Sequence, residues 1–234
     1  MHHCLFVDRR VRAAYFLLAV LGCRAGPGPL VPVGAEPVGR EQVAAWVAAT
    51  VPDQHRLHRF KWLFRDERSS AGGRGSARVA PPDSLRFDVA GPFGSGASSA
   101  AVVGDQPLWA EPPNAIEKLV PNYPLLWAML GVARMPEPGT TLRGLSEGPV
   151  VAWQYAGPTD TVAYVRTGGS RGRLVAEVRR AGEVVGRVET TLDSAGVPLE
   201  ARLTVPSVPA QLDLTFLSTS RADFAPDIWI SRKP

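Results

Sequence analysis

The chain has 234 residues, with 26 basic against 22 acidic side chains and a net charge of +4. That balance, with its arginines scattered, excludes the basic, aromatic-laced stripe of a nucleic-acid partner. Only two cysteines are present, and Cys4 lies upstream of an arginine cluster in a segment that reads as a removable leader, so a disulfide framework is excluded as well.

The first element in chain order is that leader. Arg9, Arg10 and Arg12 form a positive region, and Ala13 to Gly22 an apolar block too short to span a bilayer but suited to secretion. Val20-Leu21-Gly22-Cys23 then resembles a bacterial lipobox, which implies removal of residues 1–22 and acylation of Cys23. Each buried methylene of an acyl chain contributes about 0.8 kcal/mol, so two or three chains on Cys23 make a firm membrane anchor. Losing residues 1–22 also removes three arginines and Asp8, which leaves 23 basic against 21 acidic side chains and a net charge near +2.

Residues 23–38 hold the acylated Cys23 and a Pro- and Gly-rich stretch without apolar periodicity, read as a tether. Extended, it could hold the domain on the order of 40 Å from the membrane. Residues 39–234 read as one domain. Val43, Trp46, Val47, Thr50 and Val51 share a helical face and predict a helix over 40–51. Beyond it the period changes to two. Leu85, Phe87 and Val89 alternate with Arg86 and Asp88, and Gly186, Val188, Thr190 and Leu192 with Arg187, Glu189 and Thr191. Leu199, Ala201, Leu203 and Val205 repeat the pattern. Further strands are predicted at 57–66, 74–80, 97–104, 107–111, 149–156, 161–166, 173–180 and 210–218.

Short turn signals such as Gly168-Gly169 and Ala181-Gly182 make neighbouring strands antiparallel hairpins. Asn114 can cap a short helix that Pro121 ends, a second runs from Tyr123 to Leu130, and 133–148 reads as a long loop. The predicted fold is mainly β: a curved antiparallel sheet, or unclosed β-barrel, of about eleven strands. The N-terminal helix and the short helical insertion cover its concave side. Such a sheet is too wide for its own side chains to fill, so helices or a ligand must occupy the interior.

The stretch SLRFDVAGPFGSGASSAAVVG resembles the lipoprotein-localisation (Lol) family. Leu85-Arg86-Phe87 matches its apolar-Arg-apolar strand, Pro92-Phe93-Gly94-Ser95 its tight loop, and Ala97 to Val103 its second alternating strand. YPLLWAMLG and VPLEARLTVPSVPAQLDLTF resemble the family's inserted helix and last hairpin, and with the lipobox the pattern is similar to the LolB-like outer-membrane branch. The resemblance implies a cavity for the acyl chains of lipoproteins or lipids and a periplasmic lipoprotein carrier as partner. It also implies an exposed apolar loop residue, here Phe93, that touches the outer membrane. The longer 133–148 loop and the tail from Ser220 depart from the pattern, so an envelope-stress-sensing or structural lipoprotein with a self-filled barrel stands as the alternative.

Trp46 and Trp127 are expected as the lid of the cavity, and Phe87, Val89, Val188 and Leu203 as its floor. His55 and His58 stand three residues apart, yet two ligands make no zinc site. Gly91 to Gly96 lacks the Lys-Ser/Thr of a phosphate loop. A hydrolase would lack a Gly-x-Ser-x-Gly elbow and depend on those same histidines. No cofactor, metal or chemical turnover is expected.

Overall fold

The computed structural model describes residues 28–91, 96–113 and 120–231. Their strands form one antiparallel sheet. In chain order the elements are β1 (Glu36–Pro37), α1 (Arg40–Ala48), β2 (Arg56–Arg65), β3 (Ser70–Ala80), β4 (Ser84–Ala90), β5 (Ser98–Val103), β6 (Gln106–Glu111) and α2 (Tyr123–Met129). Then come β7 (Thr141–Glu147), β8 (Val150–Ala156), β9 (Asp160–Thr167), β10 (Gly172–Arg180), β11 (Glu183–Leu192), β12 (Pro198–Val205), β13 (Ala210–Arg221) and a 3₁₀ turn at Pro226–Trp229.

The sheet has 13 strands in the order β1-β7-β8-β9-β10-β11-β12-β13-β2-β3-β4-β5-β6. Every neighbour but β1–β7 and β13–β2 is a hairpin partner. β13 pairs with β2 from Gln211↔Arg65 to Arg221↔Arg56, which brings the C-terminal strand beside the first long one. The two edges, β1–β7 and β6, remain unpaired with each other, so the barrel is unclosed.

The period-two patterns sort the faces as expected except at Leu199, which is exposed because the register shifts between Thr191 and Leu192 and Pro198 takes the buried position. On β11, Gly186, Val188, Thr190 and Leu192 are buried; on β12, Ala201 and Leu203 are buried while Glu200 and Arg202 are exposed. These inward residues join Phe60, Leu85, Leu174 and Leu214 in one apolar cluster with α1 and α2.

Three expectations are corrected. The predicted loop at 133–148 contains β7, whose inward positions Leu142, Gly144 and Ser146 are too weakly apolar to announce a strand. Gly144 is required there: a Cβ would stand 2.7 Å from Cζ3 of Trp46, so the bare backbone lets α1 settle on the sheet. The helix over 40–51 stops at Ala48, where Thr50 Oγ1 donates to the Val47 carbonyl at 2.7 Å. The short helix expected from Asn114 lies outside the described residues.

The third correction concerns the tether. Residues 28–38 do not run free: Val31 and Ala35 are buried against Ala152 and Ala163 on the outer face of β8 and β9. Arg143 Nε donates to the Ala35 carbonyl at 2.9 Å, and β1 pairs with β7 at Glu36↔Gly144 before the chain turns inward to α1. The segment is therefore a strap that starts on the outer face, rounds the β7 edge and enters the concave side. Leu30, Val31 and Ala35 supply the apolar contact that a Pro/Gly-rich composition conceals.

Val31→Asp should undock this strap, because a carboxylate at a site only 2% exposed cannot be solvated in place. Limited proteolysis should then cut within 28–38 much faster than in the wild type. The denaturant midpoint of the sheet should move little, with a loss of about 1–2 kcal/mol confined to the strap.

Candidate functional site

The concave face is built from inward side chains of neighbouring strands. Phe87 stacks on Phe60 with ring centroids 5.1 Å apart, and Val188 and Leu203 are cross-strand partners in register. Helix α2 lies across β10, β11 and β12. Leu125, Leu126, Trp127 and Met129 are buried beneath and around it, each contributing roughly 1.5–3 kcal/mol by burial. Gly186 makes that seat possible, since a Cβ there would meet Leu125 Cδ1 at 2.8 Å. Polar anchoring is sparse: Thr190 Oγ1 donates to the Ala128 carbonyl at 2.7 Å, and Trp127 Nε1 to the Gly104 carbonyl at 2.8 Å.

All six residues expected to form the cavity fall in or against this one cluster. Phe87, Trp127, Val188 and Leu203 are buried members, while Trp46 and Val89 are half-buried at its margin. Trp46 packs against Trp153 with centroids 5.9 Å apart. Val188 and Leu203 are 0% exposed under α2, so the floor is covered by the chain's own helix. Cys23 and Phe93 lie outside the described residues.

The open part of the interior is at the seam between the sheet edges, where residues from distant turns meet around a pocket of about 460 Å³. Val120, Pro124, Met135, Tyr155 and Val162 give it apolar walls, and Asp105, Asn122 and Asp160 a polar mouth. Asp105 has its carboxyl pushed up by burial, opposed by Arg134, whose Nε stands 3.5 Å away. The Arg134 guanidinium also sits 4.8 Å from the Trp127 ring centroid. Asn122 Nδ2 donates to Asp160 at 3.4 Å, while Asn122 Oδ1 is buried without a hydrogen-bond partner. Burial raises the Tyr155 and Tyr164 hydroxyls above the usual phenol range, so both stay neutral donors. Sequence reasoning missed this pocket: Gly104-Asp105 reads only as a turn, and Arg134 only as loop.

The two histidines do not converge. His55 stacks on Phe224 with centroids 5.1 Å apart, whereas His58 points inward, 2% exposed, with Nδ1 2.8 Å from Thr219 Oγ1. No group of three or more potential metal ligands occurs among the described residues.

With this geometry in view, comparison with known proteins is informative for structure alone. No protein-family model matches the sequence, and no curated protein matches it either. Among solved structures, a LolA superfamily protein from Nitrosomonas europaea superposes with a TM-score of 0.53 at 11% identity, covering 83% of this chain and 98% of that one. A putative outer membrane lipoprotein-sorting protein domain from Vibrio parahaemolyticus gives 0.52 at 10% identity, over 82% of this chain and 96% of that one. The fold is of the Lol type. What the sequence pattern implied about architecture therefore holds.

Burial lowers the His58 pKa from 6.5 to about 4, with the Arg56 charge adding to the effect. Between those values the unfolded chain binds the proton and the folded one does not, so stability falls as pH drops from about 6.5 toward 4. Urea unfolding at pH 7 and pH 4 should differ by roughly 3 kcal/mol from this group, and His58→Gln should remove most of that difference.

Proposed function

We propose that the protein is an envelope lipoprotein, anchored through acylated Cys23, that binds the acyl chains of lipoproteins or lipids on the concave side of its sheet without chemical turnover. In this reading it takes cargo from a periplasmic lipoprotein carrier and passes it to the outer membrane, with Phe93 touching the bilayer at release. The observation that carries the reading is the cover of the concave face. A wide apolar surface is closed by short helices, with α2 held by apolar contacts and few hydrogen bonds, beside a seam pocket of about 460 Å³.

The mechanism follows from competition for one surface. Leu125, Trp127 and Met129 occupy the place an acyl chain needs. A ligand entering from the seam must replace their contacts with its own, so α2 lifts when the acyl chain buries comparable area. Each methylene gained or lost shifts the balance by about 0.8 kcal/mol, which makes transfer sensitive to chain length and to the competing bilayer. The second reading, a structural or stress-sensing lipoprotein, is favoured by the complete burial of Val188 and Leu203 under α2.

Leu125→Ala separates the two. Truncation opposite Gly186 should cost about 2–4 kcal/mol of stability and, where α2 is displaceable, raise uptake of a fluorescent fatty acid several-fold. A stability loss without any gain in uptake would favour the self-filled barrel. In-cell photo-crosslinking from position 89, which faces inward, with position 90 as the outward control, identifies the cargo. A protein-sized adduct at 89 is expected for lipoproteins and a lipid-sized one for free lipids, and no adduct at either position would sink the open-cavity reading.

A further inference from the structure

Among the described residues, the outer face of the sheet is covered at both flanks and bare between them. The N-terminal strap lies over β8 and β9. At the other flank the C-terminal tail lies over β4–β6: Arg86 Nη1 donates to the Ile228 carbonyl at 2.6 Å and Trp109 Nε1 to the Trp229 carbonyl at 2.7 Å. The strands between them, β10–β13 with β2 and β3, hold an outward cleft of about 940 Å³. It follows one cross-strand row, Lys61–Thr215–Glu200–Thr191–Arg173, with Arg74 next in register beyond Lys61.

The charge of this bare face is mixed, with an excess of basic groups. Asp213, Glu189 and Glu177 are shared among Arg65, Arg173, Arg179, Arg187 and Arg202, so the arginines outnumber the carboxylates that pair with them. Glu200 is the remaining carboxylate of the cleft. Arg59, Lys61 and Arg74 are exposed and make no ion pair among the described residues.

The path of the chain places the lead to Cys23 at the β10 margin of this face. Arg179 Nη2 donates to the Gly28 carbonyl at 3.2 Å, so the polypeptide leaves the structure on the outer side, beside β10 at the margin of the bare strands. Cys23 precedes Gly28 by five residues, a contour of no more than about 17 Å. An acyl anchor on so short a lead would hold the β10 margin of the outer face at headgroup distance. We propose that the bare basic face rests on the anionic lipid headgroups of the membrane in which the Cys23 acyl chains are embedded. The inference rests on acylation of Cys23. Acyl insertion and electrostatic attraction then supply the two signals that stable attachment takes, while the concave side stays free for cargo.

The test uses the full chain carrying Cys23→Ser, which removes acylation and leaves the face. Binding to phosphatidylcholine vesicles with and without about 30% phosphatidylglycerol is measured at low salt. Tighter binding to the anionic vesicles is expected, and Lys61→Gln with Arg74→Gln should weaken it by about tenfold or more. Arg166→Gln with Arg221→Gln, an equal charge change elsewhere, should leave it nearly unchanged. Equal loss in both pairs, or no preference for anionic vesicles, overturns the proposal. Mass spectrometry of the wild-type N-terminus reports acylation separately, so an unmodified Cys23 with an intact face preference would sink the anchor and not the face.

Discussion

A single curved sheet with one apolar side has no second sheet to cover it, and everything else in the molecule answers to that. The inward residues of β2–β5 and β8–β13 would otherwise expose a continuous oily surface. Helices α1 and α2 close it, and they do so with few polar commitments. Where they press closest the sheet gives way by losing side chains: Gly144 under Trp46 and Gly186 under Leu125. Complementarity of this kind resembles a stopper and its seat more than an interleaved core, since each helix meets the sheet through its own side chains while the strands pair with one another.

The outer face solves a different problem. Its strands present charged rows in which Asp213, Glu189 and Glu177 are each flanked by guanidiniums, and surface ion pairs of this sort contribute little to stability. Apolar positions there, Ala101, Ala152, Ala163 and Val165, are placed where a chain terminus lies across them. The molecule thus uses its ends as covers, and the polar surface between them is left available to a partner.

Much of this was legible in the sequence. Eleven strands were located, and faces were assigned on the three whose alternation was plainest, 85–90, 184–192 and 199–205. Strand β7 was hidden by Gly144, the very residue that admits Trp46, and β1 by its length, since a pair such as Glu36–Pro37 has no period. The strap was hidden because Pro and Gly punctuation outweighs a few apolar side chains when composition alone is read. Of the interior, Phe87, Trp127, Val188 and Leu203 were legible as a shared surface, but whether that surface is open or covered depends on where α2 docks. The seam pocket was not legible at all, since Asp105, Asn122, Arg134 and Tyr155 come together only through the curvature of the whole sheet.

The two-residue strand β1 has a consequence for how these molecules behave in a crowd. An unclosed barrel has two raw edges, each a template on which another chain could add a strand. At the β7 edge the template is occupied by β1, and Pro37 has no amide hydrogen to offer the next chain. The opposite edge, β6, carries Pro107 within the strand and Pro112 and Pro113 just beyond it. The barrel can therefore stay open without its margins growing into fibres.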